Sequence, residues 1–169
     1  MSTETEQTEP QPTKPIEQHQ WLENLLGEWK VRTSMIMAPG EPEVTCESTE
    51  TVRSLGGLWS VAENNGEMPG GAKATSYTVL GYDVSFNEYR GCFYGDMSSH
   101  LWKYVGTLSA DGKIMTLDCE GPSMVVDGET AHYRDVIELI DSNNRTMTSY
   151  GQDDKGEWQQ FMKSHYTRV

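Results

Sequence analysis

The sequence is short of the features that mark many functional classes. Its three cysteines, Cys46, Cys92 and Cys119, are odd in number and far apart, with no C-x-x-C. That pattern supports neither a disulfide frame nor a zinc site, and it fits reduced thiols in a cytoplasmic protein. No apolar h-region follows the initiator Met and no hydrophobic run approaches membrane-spanning length, so neither a secretion signal nor a membrane helix is expected. Without such a signal, the sequon Asn144-Arg145-Thr146 is read as chance. Positive charge is scarce: 13 Lys and Arg stand against 26 Asp and Glu, a net charge of −13, and the basic residues are scattered singly. A phosphate backbone needs Lys and Arg gathered on one face, which argues against nucleic acid and against anionic membranes. The acidic balance serves solubility.

Helical periodicity is nearly absent as well. Residues 1–15, rich in Glu, Gln, Thr and Pro, have no large apolar side chain beyond Met1 and read as a disordered tail. A single domain is expected over 16–169. Within 16–26, Trp21, Leu22, Leu25 and Leu26 fall at helical spacing and Gly27 is a natural stop. A helix this short must dock its apolar stripe on something.

From Glu28 onward the period is two. Trp29, Val31, Thr33, Met35 and Met37 form one face of a first strand that Pro39-Gly40 ends. Further strands are expected over 43–54, 57–65, 73–83, 88–97, 100–109, 112–120, 130–141, 144–151 and 156–168. Gly56-Gly57, Asp111-Gly112, Asp127-Gly128, Asn143-Asn144 and Asp154-Lys155-Gly156 separate many of them. About ten short strands with sequential connections favour an all-β, up-and-down antiparallel barrel over a sandwich, and a barrel also removes exposed edges. Eight to ten strands leave room inside for one small ligand.

Gly27-Glu28-Trp29, following a short helix and opening the first strand, resembles the start of the calycins, which include lipocalins and fatty-acid-binding proteins. Tyr166-Thr167-Arg168 closes the last strand, as the basic residue near the end of a calycin barrel does. The resemblance implies that Trp29 and Arg168 meet where the barrel closes. A closer similarity covers nearly everything after residue 18. It runs through His19, Leu22, Gly57-x-Trp59-x-Val61, Gly81-Tyr82-Asp83, Tyr89, Tyr104-x-Gly106-Thr107, Gly112-Lys113, Thr116-Leu117 and Arg134. These motifs resemble, in order, the bacterial lipocalin-like domain family of unknown function numbered fifteen-seventy-nine. That resemblance implies a lipocalin-like barrel and brings no established activity.

The site is read as a barrel interior that binds a small hydrophobic or amphipathic ligand, a carboxylate-bearing one included. Arg134 and Asp135 are adjacent in a strand and face opposite ways. An inward Arg134 would need an anionic partner, as the interior arginines of fatty-acid-binding relatives do. Arg134 is therefore the leading ligand contact, ahead of Arg32 and Arg90, with Tyr82, Tyr94, Met35 and Trp59 lining the cavity. The rivals are a filled barrel acting only as an oligomeric module, and an acid–base hydrolase or isomerase built on Asp96 and His100. No cofactor or metal is expected; haem, which some lipocalin-like barrels bind, would point to His132 and His165. The glycine-rich stretch 66–71 precedes a strand and not a helix, so it is a loop and not a phosphate cradle. Tyr94, Leu101 and Val105 belong to a run with bulky groups on both strand faces, which suggests a cover from the helix or from a second copy in a homodimer.

Overall fold

The computed structural model describes residues 11–169; that part of the expected tail in residues 1–10 lies outside the described residues. Residues 11–15 are exposed and without regular structure. Ten antiparallel strands then follow a short helical segment: α1 (Glu17–Gln20) tightens into a 3₁₀ turn (Trp21–Leu25). The strands are β1 (Gly27–Met35), β2 (Val44–Leu55), β3 (Trp59–Glu67), β4 (Lys73–Asp83) and β5 (Glu88–Gly95). They continue with β6 (Ser98–Leu108), β7 (Ile114–Pro122), β8 (Thr130–Asp141), β9 (Asn144–Gln152) and β10 (Trp158–Arg168). Each pairs with its sequence neighbours, and β1 pairs with β10 to close the barrel. No helix among the described residues is long and apolar enough to cross a membrane.

Period-two alternation sets what points inward. In β7, Met115, Leu117 and Cys119 are buried while Ile114 and Glu120 are exposed. In β10 a bulge at Phe161 resets the alternation, so Phe161 and Met162 both face the interior. The seams are long with one exception. The β6–β7 ladder runs only from Val105↔Asp118 to Leu108↔Met115, the shortest in the barrel. Beyond it the strands diverge, bridged by a hydrogen bond between His100 Nε2 and the Glu120 carbonyl at 3.1 Å. Trp102 fills the wedge: a Cβ added to Gly121 would sit 2.2 Å from its indole, so only glycine fits there.

The helical segment plugs one end of the barrel. Trp21, Leu22 and Leu25 join Trp29, Leu80, Tyr89, Met115 and Leu117 in a continuous buried cluster. Nine residues of helix cannot persist alone, and side chain to backbone hydrogen bonds hold them. His19 accepts from the Ile16 amide at Nδ1 (3.0 Å), which leaves Nε2 to donate to the Tyr82 carbonyl (3.1 Å). Trp21 Nε1 donates to Gly112 O (2.8 Å), Trp29 Nε1 to Leu25 O (2.9 Å) and Tyr89 Oη to Gln18 O (2.8 Å).

Closure is made by two arginines. Trp29 lies opposite Arg168 in the β1–β10 register, and the guanidinium sits 4.2 Å from the indole centroid. Arg168 also donates to the carbonyls of Leu26 and Ser142. Gly27 has φ +112°, and a Cβ there would meet Arg168 Nη1 at 2.6 Å. The glycine of Gly-x-Trp thus both stops the helix and clears the arginine's path. On the inner side, Arg145 stacks 3.7 Å from the Tyr166 ring centroid and pairs with Glu50 at 2.5 Å, both side chains nearly inaccessible.

Candidate ligand-binding site

Above this packed end the barrel is hollow. A lower chamber of about 220 Å³ is lined by Phe93, Trp102, Tyr133, Phe161, Met147 and Met162, with Thr78, Tyr104, Cys119, Asp135 and Ser149 among them. It shares Thr78, Phe93, Trp102, Met147 and Met162 with an upper chamber of about 310 Å³ that opens between the strand ends at the far rim. The rings meet edge to face: Trp102 to Tyr133 at 5.0 Å and Tyr133 to Phe161 at 6.1 Å. Apolar walls with a few convergent polar groups are the usual make-up of a small-molecule site.

The polar groups converge on β8. Asp135 points inward, accepting a hydrogen bond from the Tyr104 hydroxyl and facing Ser149 across the strand pair. Burial pushes its carboxyl above the ordinary range, against the pull of the bonds from Ser149 and Tyr104. Burial and the neighbouring carboxylate likewise raise the Tyr104 phenol. The Cys119 thiol is pushed up to about 12, by burial first and by Asp135 and Asp118 next, so it stays a neutral, unreactive part of the wall. Higher up, the hydroxyls of Thr33 and Ser164 bond one another at 2.7 Å. Among the described residues, neither chamber is lined by Lys or Arg.

The residues anticipated for the site are dispersed. Met35 lines the upper chamber. Tyr82 faces inward but lies under the plug, edge-on to Tyr89 at 5.0 Å and to His19 at 5.9 Å. Trp59 and Tyr94 are on the outer face: Trp59 packs its indole over Gly81, and Tyr94 stacks on Tyr77 at 5.5 Å. Arg134 requires a correction. It faces outward, pairs with Asp118 at 2.7 Å and lies 4.4 Å over the Trp158 ring. The strand's parity gives the interior to Asp135, which removes the anchor expected for a ligand carboxylate. Arg90 is likewise external, between Glu88 and the Phe86 ring, and Arg32 is exposed.

Asp96 and His100 have separate partners. Asp96 Oδ1 accepts from the Thr75 amide at 3.0 Å, next to the β5–β6 turn, while His100 spans the diverging seam to Glu120. His132, exposed beside Glu120, and His165, exposed on β10, are both outside the barrel, so they do not fit a haem held within it. An outer groove of about 900 Å³ follows the β6–β7 seam, but it is open and edged by Lys103, Asp118, Glu120 and Asp127. The enclosed interior is the better-formed site.

The family described as protein of unknown function, DUF1579, has a model that matches residues 14–168. No curated protein sequence matches significantly. Among solved structures, the chain is similar to Rv2717c from M. tuberculosis, with a TM-score of 0.67 and 14% identity over 91% of this chain and 98% of that one. It is also similar to the S-type phycobiliprotein lyase CPES from Guillardia theta, with a TM-score of 0.61 and 12% identity over 91% of this chain and 93% of that one. At such identities the likeness is one of fold, a lipocalin-like barrel.

Proposed function

The chain belongs to the DUF1579 family of proteins of unknown function, and we propose that it is a small-molecule binding protein whose barrel interior takes a partly apolar ligand. The hollow upper half carries this reading. A lower chamber of about 220 Å³ has the volume of about seven waters, at roughly 30 Å³ each, and most of its wall is aromatic rings and thioethers. A barrel serving only as a packing module would have closed that space, because close-packed interiors leave few voids larger than a water. Native mass spectrometry of the purified protein tests the reading through a co-purified small molecule. Thermal-shift screening with apolar compounds is the second arm. Thr78→Phe, at the neck shared by the chambers, should abolish any stabilisation seen. A protein that no compound stabilises, and that carries none, overturns the reading.

Two extensions follow from the surface. Tyr94, Leu101 and Val105 are exposed on the outer face of β5 and β6, which supports pairing of two copies. Sedimentation showing only monomer at micromolar concentration would exclude it. The free thiols of Cys46, Cys92 and Cys119 support residence in a reducing compartment such as the cytoplasm.

A further inference from the structure

The chemistry of the lower chamber narrows the ligand class, resting on the interior-binding reading above. A carboxylate lining an interior chamber beside aromatic rings, with no Lys or Arg in the chamber wall among the described residues, is the arrangement that an ammonium group complements. We infer that the barrel interior selects an apolar ligand carrying a protonated amine, with the amine hydrogen-bonded to Asp135 and its apolar body among Phe93, Trp102, Tyr133 and Phe161.

Four observations support the assignment. Asp135 lines the chamber, its carboxylate accepting from the Tyr104 hydroxyl, with Ser149 opposite it across the strand pair. A carboxylate has about four acceptor positions, so positions remain for a ligand N–H. Arg145, the nearby interior cation, is committed to Glu50 and stacked on Tyr166, and it lines neither chamber. Phe93, Trp102, Tyr133 and Phe161 line the same chamber, and aromatic rings attract cations, not anions, at their faces. The net charge of −13 also draws cations toward the barrel mouth and repels carboxylates. For an anionic ligand, these same walls offer no compensation for desolvating its charge.

Three probes of matched shape distinguish the outcomes: 4-phenylbutylamine, 4-phenylbutan-1-ol and 4-phenylbutyrate, titrated calorimetrically into the full-length protein at pH 7.5. The amine should bind about tenfold or more tighter than the carboxylate, with the alcohol between them. Asp135→Asn should weaken the amine by about tenfold and leave the alcohol little changed. A carboxylate that binds as tightly as the amine overturns the inference, and so does an amine preference that survives Asp135→Asn. If the alcohol binds without an amine preference, only the inference fails. If none of the three binds, the inference fails, while the interior-binding reading stands or falls on the co-purification and thermal-shift tests above. The comparison within the wild-type protein decides the matter even if Asp135→Asn does not fold.

Discussion

The two ends of this barrel use similar side chains to opposite purposes. At the plugged end, Trp29, Met115 and Leu117 are packed to near-zero exposure, and the Glu50–Arg145 pair lies against the Trp29 and Tyr166 rings. At the open end Trp102, Met147, Met162 and Tyr133 surround empty space. Charge is handled differently too. Each plugged-end arginine has an anion, a carbonyl or a ring against it, whereas Asp135 above has only hydroxyl donors. Stability is therefore concentrated at one end, which leaves the other free to forgo packing. Dispersion and burial given up around a void are recovered when a ligand fills it.

The largest test of this contrast is Arg145→Met, which leaves Glu50 buried without a partner. It should cost about 3–5 kcal/mol in urea denaturation. Next comes a matched pair of methionines. Met115→Ala at the plugged end should cost about 3 kcal/mol, and Met147→Ala beside the void about 1 kcal/mol, because Met147 already lacks neighbours on one side. Equal costs would erase the contrast. Arg168→Ala should cost about 1–2 kcal/mol, through its lost carbonyl bonds and the contact with Trp29.

The smallest effect concerns pH. Burial raises the native Asp135 carboxyl above its unfolded value of about 4, so the folded protein holds that proton longer than the unfolded chain does. The contribution of this group to stability therefore falls as pH rises from about 4 through the native value, and the penalty is full above it. Asp135→Asn removes the penalty. Its Tm at neutral pH should rise relative to wild type, and the difference should vanish toward pH 3.

Much of the fold could be read because turns and strand periods are local properties. Asp154-Lys155-Gly156 and Asp111-Gly112 mark turns whatever surrounds them, and the observed strands begin and end within about two residues of the expected ones. Closure between β1 and β10 follows from sequential antiparallel order. The site was harder, because an interior is defined by which face of each strand turns inward, and that parity is a tertiary fact. Arg134 and Asp135 differ by one position and so exchange inside for outside. The signal that separates them lay in β8 itself: Tyr133, Ile137 and Leu139 form the apolar series, and Asp135 is in step with it. Trp59 likewise stands out of step with Ser60 and Ala62, which are buried. The bulge at Phe161 left no mark in the local sequence.

The short β6–β7 seam gives the barrel something a closed ring should lack, a pair of free strand edges. Residues 98–104 and 119–122 present main-chain donors and acceptors that a passing extended chain can adopt as a template. The defences against that are visible: Pro122 withholds a donor, Lys103 and Glu120 set charges along the rims, and Trp102 occupies the wedge. Amide exchange should be fastest along this line of the wall. A chain that loses Trp102 gives up a gatekeeper against self-association before it gives up its fold.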